Sequence, residues 1–220
     1  MTFLSPALKR LILLAMYAPF LVRDAVFCAA HSLRWHASWR LWGLPFVQLA
    51  RKSVVTIGAN FTACSTSSHN SIGVFQRVTL KTNARNARLI IGHHVGISGC
   101  SIAATERIEI GNYVLIGSGC LITDSDAHAL DPLERRRNGS FKTAPVIIED
   151  DVFIGARSVV LKGTRIGRGS VIGAGSVVTK DIPPYVIAAG NPCKVLRALP
   201  GRAAPSPSPK PVECGTCSSP

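Results

Sequence analysis

The sequence predicts an all-β fold, a parallel β-helix of short stacked strands, and three observations carry that prediction. The first is a period. Ile148, Ile154, Val160, Ile166, Ile172 and Val178 recur at an interval of six residues, a spacing that belongs to no helix. The second is what lies between them: Val152, Ser158, Thr164, Ser170 and Ser176 stand four residues after successive aliphatic positions, and Gly155, Gly167 and Gly173 follow the aliphatic residue directly. The third is composition. Hydrophobic residues make up 47% of the chain but aromatics only 6%, so the core is built from Val, Ile, Leu and Ala, which suits many thin layers of strand.

Each hexad reads as a short strand and a tight corner, with the aliphatic side chain pointing inward and the small one fitting the turn. Three hexads close a triangular coil. Stacked coils then set each aliphatic residue on the one below, burying a continuous core that no single repeat could make alone. The aliphatic choice is strict because a narrow prism is close-packed: an extra methylene strains it and a missing one leaves a void. An earlier block keeps the interval in Ile91 and Ile97, then in Ile110, Ile116 and Ile122, with a slip of one residue between the two sets. The larger interruption runs from Ile122 to Ile148. An insertion there must leave the prism and return, so residues 123–145 form an external loop, and loops held by rigid coils are where function concentrates.

The remaining parts follow in chain order. Residues 1–50 read as a helical N-terminal segment. The apolar run Leu11 to Val22 is too short to span a bilayer and is followed by Arg23 and Asp24, which would sit at mid-membrane and would also spoil a signal-peptide cleavage region. Trp35, Trp39, Trp42 and Phe46 recur at spacings of four, three and four. Two readings of these rings stand side by side: a membrane-interfacial face with Arg34 and Arg40 toward lipid phosphates, or a cap on the open end of the following domain. Residues 51–198 hold the β-helix, and residues 199–220 form a Pro/Ser-rich flexible tail that cannot bury enough apolar surface to order itself.

The formal net charge is +13, and Asp24 is the only acidic residue before Glu106. A cationic face attracts nucleic acid, anionic lipid or phosphorylated ligands alike. Nucleic acid is disfavoured because residues 53–105 supply only Phe61 and Phe75 for stacking. The seven cysteines are odd in number and scattered, which points to a reducing, cytoplasmic setting rather than a disulfide framework. Cys214 and Cys217 have CxxC spacing but lie in the tail without a second pair.

The hexads, together with "TDSDAHALDPLERRRNG", "APVIIEDDVFIGARSVVLKGTRIGRGSVIGAGSVVTKDIPP" and "VIAAGNPCKVLR", resemble the hexapeptide-repeat acyltransferases of the maltose and galactoside O-acetyltransferase type. The match is dense over about residues 87–198, weaker over 53–86, and absent from the first 50 residues and the tail. The resemblance implies a left-handed β-helix, a homotrimer with active sites between neighbouring prisms, acetyl-CoA as co-substrate and no metal. It implies His128 as the catalytic residue. An imidazole with an ordinary pKa near ~6.5 is suited to take a proton from a sugar hydroxyl as that oxygen attacks a thioester.

Asp126, two residues away, would share a face with His128 in an extended segment and orient the imidazole or bind acceptor hydroxyls, with Asp124 in a similar role. Bonding of these carboxylates to local backbone is the competing reading. Ser98 stands near where the family's acceptor-binding asparagine would be, and Phe153 where the family often has tryptophan. For the donor, the resemblance implies Gly155, Ala156, Gly173 and Ala174 along the pantetheine arm, and Thr179, Lys180, Lys194 and Arg197 at the nucleotide phosphates. His93 and His94 do not make a zinc site, since only His94 could pair with His128 and no third histidine matches. The function implied is transfer of acetyl to a sugar, nucleotide-sugar or lipid-linked glycan in polysaccharide synthesis, in the cytoplasm with peripheral membrane contact. Acetylation of serine or an antibiotic, a non-catalytic assembly module and a membrane-surface scaffold are the alternatives.

Overall fold

Short extended segments with one inward aliphatic residue each cannot stand alone, and in this protein they stack. The computed structural model describes residues 6–200, with side chains from residue 18 onward. The tail, with Cys214 and Cys217, lies outside the described residues. The strands wind into a three-faced parallel β-helix in which each strand pairs with the one a full coil later. Face 1 stacks Arg40–Trp42, Thr62–Cys64, Gly96–Ser98, Leu115–Ile116, Phe153–Ile154, Val171–Ile172 and Val186–Ala189. Face 2 runs from Phe46–Gln48 up to Val177–Val178, and face 3 from Val54–Ile57 up to Arg165–Ile166.

Register explains the period. On face 1 the partners are Ile97 on Ile116, Ile116 on Ile154 and Ile154 on Ile172; on face 2, Ile102 on Ile122, then Val160 and Val178. These side chains are at most 3% exposed, and burying each is worth about 1.5–3 kcal/mol. The small polar residues of the hexads occupy the corners and are equally buried. Ser158, Ser170 and Ser176 donate to the carbonyls of Gly173, Pro183 and Gly173 at 3.1, 2.7 and 2.6 Å. A buried hydroxyl needs such a partner, and a corner carbonyl supplies it.

Glycines follow the inward aliphatic residue because the next coil leaves no room for a side chain. A Cβ on Gly117 would stand 2.5 Å from Ala156 N, and one on Gly155 would stand 2.5 Å from Ala174 N. The resemblance places Gly155 and Gly173 along a pantetheine arm. For Gly155 the next coil already takes that space, and a Cβ on Gly173 would lie 2.8 Å from the Ala189 Cβ.

The β-helix begins earlier than residue 51. The helix α1 (Pro6–Ala30) ends well short of residue 50, and Arg40–Trp42 and Phe46–Gln48 are strands of the first coil. The ring spacing misleads because it assumes one helix, whereas Gly43, with φ +76°, turns the chain between two strands and sends the rings to different sides. Trp39 is 3% exposed, donates from Nε1 to Gly58 O at 2.7 Å and meets Phe61 edge-on at 5.6 Å. Trp42 stacks on His69, and Phe46 lies under the Lys81 ammonium. The rings therefore form no single interfacial face, and Trp39 caps the prism. Arg23 ties α1 to that cap through Leu41 O at 2.7 Å while pairing with Asp24 at 2.6 Å. Among the described residues, no helix is long and apolar enough to cross a membrane.

Candidate functional site

A prism whose interior is solid aliphatic can do chemistry only on its edges. The loop after Leu121–Thr123 leaves face 2 and returns at Val146–Ile148 on face 3, so it stands on the 2–3 edge of the fourth coil. Its stem is tied down from several coils. Ser125 bridges Thr143, Asp126 N donates to Lys142 O at 3.1 Å, Thr143 Oγ1 donates to Glu106 Oε2 at 2.7 Å, and Gly163 N donates to Ala144 O at 3.0 Å. Farther out, Asp131 caps the short helix α2 (Pro132–Arg136) by accepting from Leu133 N and Glu134 N, each at 2.9 Å, with proline at the position where no amide is needed. His128 sits between stem and α2, exposed to solvent.

The two aspartates before it do other work. Asp124 is fully buried: Oδ1 accepts from Thr105 N, and Oδ2 from Glu106 N and Arg107 N, all at 2.7 Å. Three convergent amides make an anion-binding concavity, and a carboxylate enclosed there cannot reach a substrate. Asp126 pairs through Oδ1 with Lys162 at 2.5 Å, while Oδ2 is buried without a partner. It makes no hydrogen bond or ion pair with the imidazole. The expectation of a shared face rested on extended backbone, but Ala127 has φ +60°, which swings His128 away from the Asp126 side.

The 1–2 edge presents a different set. Ala156 and Ala174 lie at this corner in the fifth and sixth coils. The neighbouring amides are used, Gly155 N by Ile172 O, Arg157 N by Ser118 O and Gly175 N by Ala156 O, whereas Ala156 N and Ala174 N donate to no acceptor among the described residues. Lys194, paired with Ala189, tops the same edge. Ser98 ends its strand on this edge two coils below Ala156. Phe153 projects from face 1 between Leu115 and Val171, 46% exposed. The other expected phosphate residues lie apart: Thr179 and Lys180 leave face 2 at the 2–3 edge, and Arg197 crosses face 1 opposite Ile187. Within one chain the histidine and the free amides thus occupy different edges of face 2.

The remaining candidates are structural. His93 accepts from Ala59 N at 3.0 Å, and His94 stacks on Tyr113 at 4.6 Å, both at the 3–1 corner, not with His128. The five described cysteines are free and buried. Burial, and then the charge of Asp24, push the Cys28 thiol up to about 11, and burial raises Cys100 as well, so these thiols are poor nucleophiles.

Comparison with known proteins bears on this geometry. Residues 145–180 match the family described as the hexapeptide repeat of succinyl-transferase. The galactoside O-acetyltransferase of Lactococcus lactis is 47% identical over 92 residues, 42% of this chain and 44% of that protein. The galactoside O-acetyltransferase of Escherichia coli is 44% identical over 101 residues, 45% of this chain and 48% of that protein. Residues 145–180 thus carry a hexapeptide repeat, and the repeat domain is similar to these acetyltransferases. Its architecture is a three-faced parallel β-helix of hexapeptide repeats, with a helical N-terminal segment. The chain spans about half the length of these curated relatives. A solved structure of a hexapeptide-repeat acetyltransferase from Vibrio cholerae complexed with acetyl coenzyme A is 29% identical, over 70% of this chain and 72% of that one, with a TM-score of 0.47.

Three further residues stand beside the candidate site and were not legible beforehand. Lys162 fills a turn in the repeat, and nothing in the hexads marks it as the partner of Asp126. Ser118, 2% exposed with an unpaired hydroxyl, sits one coil below Ala156 on the 1–2 edge. Phe75 rides on a second excursion, Ser65 to Val78, whose signal was present as a polar, turn-rich gap between two apolar strands.

Proposed function

We propose that the protein is an acetyl-CoA-dependent O-acetyltransferase acting on a hydroxyl of a sugar or glycan, with His128 as general base. The observation that carries this reading is the pairing of an exposed histidine, held out on a tied-down loop, with a row of unpaired backbone amides ending at Lys194. The names of the relatives, both galactoside O-acetyltransferases, support the acceptor class, and the cationic top of the prism supports a phosphate-bearing donor.

The chemistry balances without a covalent intermediate. The acceptor hydroxyl loses its proton to His128 as its oxygen forms a bond to the acetyl carbon. The carbonyl oxygen gains charge and is held by a backbone amide of the Ala156 type. The carbon–sulfur bond breaks, and the proton passes from the imidazole to the departing sulfur, yielding the acetyl ester and coenzyme A thiol. Because His128 and the amide row lie on different edges of one chain, the reading requires the loop of one copy to reach the 1–2 edge of the next, in a homotrimer.

The test is release of free thiol from acetyl-CoA across a panel of sugars, nucleotide sugars, glycolipids and serine. Acceptor-dependent release that drops at least ~100-fold in His128→Ala, with unchanged thermal unfolding, is the expected result. Absence of release with every acceptor, together with no coenzyme A binding, would leave a non-catalytic module.

A further inference from the structure

The excursion between Cys64 and Val78 leaves the 1–2 edge in the second coil and climbs along it. Gln76 Nε2 donates to Gly99 O at 3.0 Å and to Ser101 Oγ at 3.1 Å, one coil up. Val74 and Gln76 press on Gly99 so closely that a Cβ there would lie 2.8 Å from Val74 Cγ1 and 2.9 Å from Gln76 O. From above, Arg157 reaches down out of the fifth coil across Gly119, where its Cγ lies 3.5 Å from the place a Cβ would take. Its guanidinium rests 4.9 Å over the Phe75 ring. The climbing arm and the descending arginine meet over the fourth coil, and beneath them is Ser118, whose buried hydroxyl has no partner.

This bridge stands at the lower end of the row of free amides. Ser118, Ala156 and Ala174 mark three successive coils of one edge, and Lys194 lies two strands beyond Ala174, past Ala189, so at about 4.8 Å per strand the row is about 19 Å long. That length suits an extended pantetheine arm. A donor with its phosphates at Lys194 and its arm along Ala174 and Ala156 delivers its acyl group to Phe75 and Arg157.

We propose that Phe75, latched by Arg157, is the acyl-chain gate of this site and restricts the donor to short acyl groups. The inference rests on the acetyl-CoA reading of the 1–2 edge. A ring held under a guanidinium keeps its position, and a wall at the end of a groove discriminates by length, because each methylene that does not fit costs about tenfold or more in specificity. Phe75 itself is 72% exposed, so replacing it leaves the core intact.

The experiment measures kcat/KM for acetyl-, propionyl-, butyryl- and hexanoyl-CoA with the full-length protein and with Phe75→Ala and Phe75→Trp. The expected result is a butyryl-to-acetyl ratio that rises about tenfold or more in Phe75→Ala and falls in Phe75→Trp. Ratios that stay constant in both variants, or an equal loss for all four donors, overturn the gate while the donor reading stands. A wild-type protein that neither binds coenzyme A nor releases thiol from any of the four overturns the donor reading itself.

Discussion

Asp124 shows how one buried charge can hold two parts of a chain together. It sits four residues before the histidine, and its carboxylate takes the amides of Thr105, Glu106 and Arg107 from the coil below. Hydrogen bonds to a charged group are worth about 1.5–3 kcal/mol, and leaving a buried donor unpaired costs about as much. Asp124→Asn turns an amide group toward one of those donors. We expect it to lower the unfolding free energy by about 3 kcal/mol, read as a drop in the urea midpoint at constant slope; a change under ~0.5 kcal/mol would show that the three bonds carry no net stability. In sequence, an aspartate two residues before another looks like a member of the same active-site pair. Burial separates them: Asp124 is fully enclosed, whereas Asp126 faces Lys162.

At the scale of the element, the corner is the unit that links stability to function. Gly155 has no room for a Cβ because Ala174 N stands 2.5 Å away, while Gly175 has open space but a φ of +70°. Gly155→Ala therefore forces two coils apart, at about 2 kcal/mol, and Gly175→Ala bears only left-handed strain, at about 1 kcal/mol. The first change also displaces the Ala174 amide. It should raise KM for acetyl-CoA, whereas Gly175→Ala should change thermal stability more than KM; equal KM in the two variants would argue that the amide row does not carry the donor.

For the molecule as a whole, the separation of His128 from the amide row across face 2 makes assembly part of the reading. Light scattering on the purified protein should give a mass three times that of the chain. A monomer at catalytic concentrations would remove the shared cleft and with it the proposed placement of base and donor. The same scale explains the N-terminal region. Trp39, Cys28 and Leu33 are part of the core that closes the first coil, so the aromatic residues there serve the prism before they serve any surface.

The six-residue period by itself determined the architecture, because in a stacked coil each aliphatic residue has one neighbour above and one below, and their spacing along the chain is the perimeter of the coil. Its interruption determined where His128 would leave the prism. Other features only the tertiary structure decided: which edge each loop stands on, that Ala127 turns His128 away from Asp126, that Lys162 and not the imidazole takes the Asp126 carboxylate, and that Phe75 meets Arg157 across three coils. These depend on contacts between residues tens of positions apart, and on single backbone angles that a local pattern of apolar and small residues does not encode.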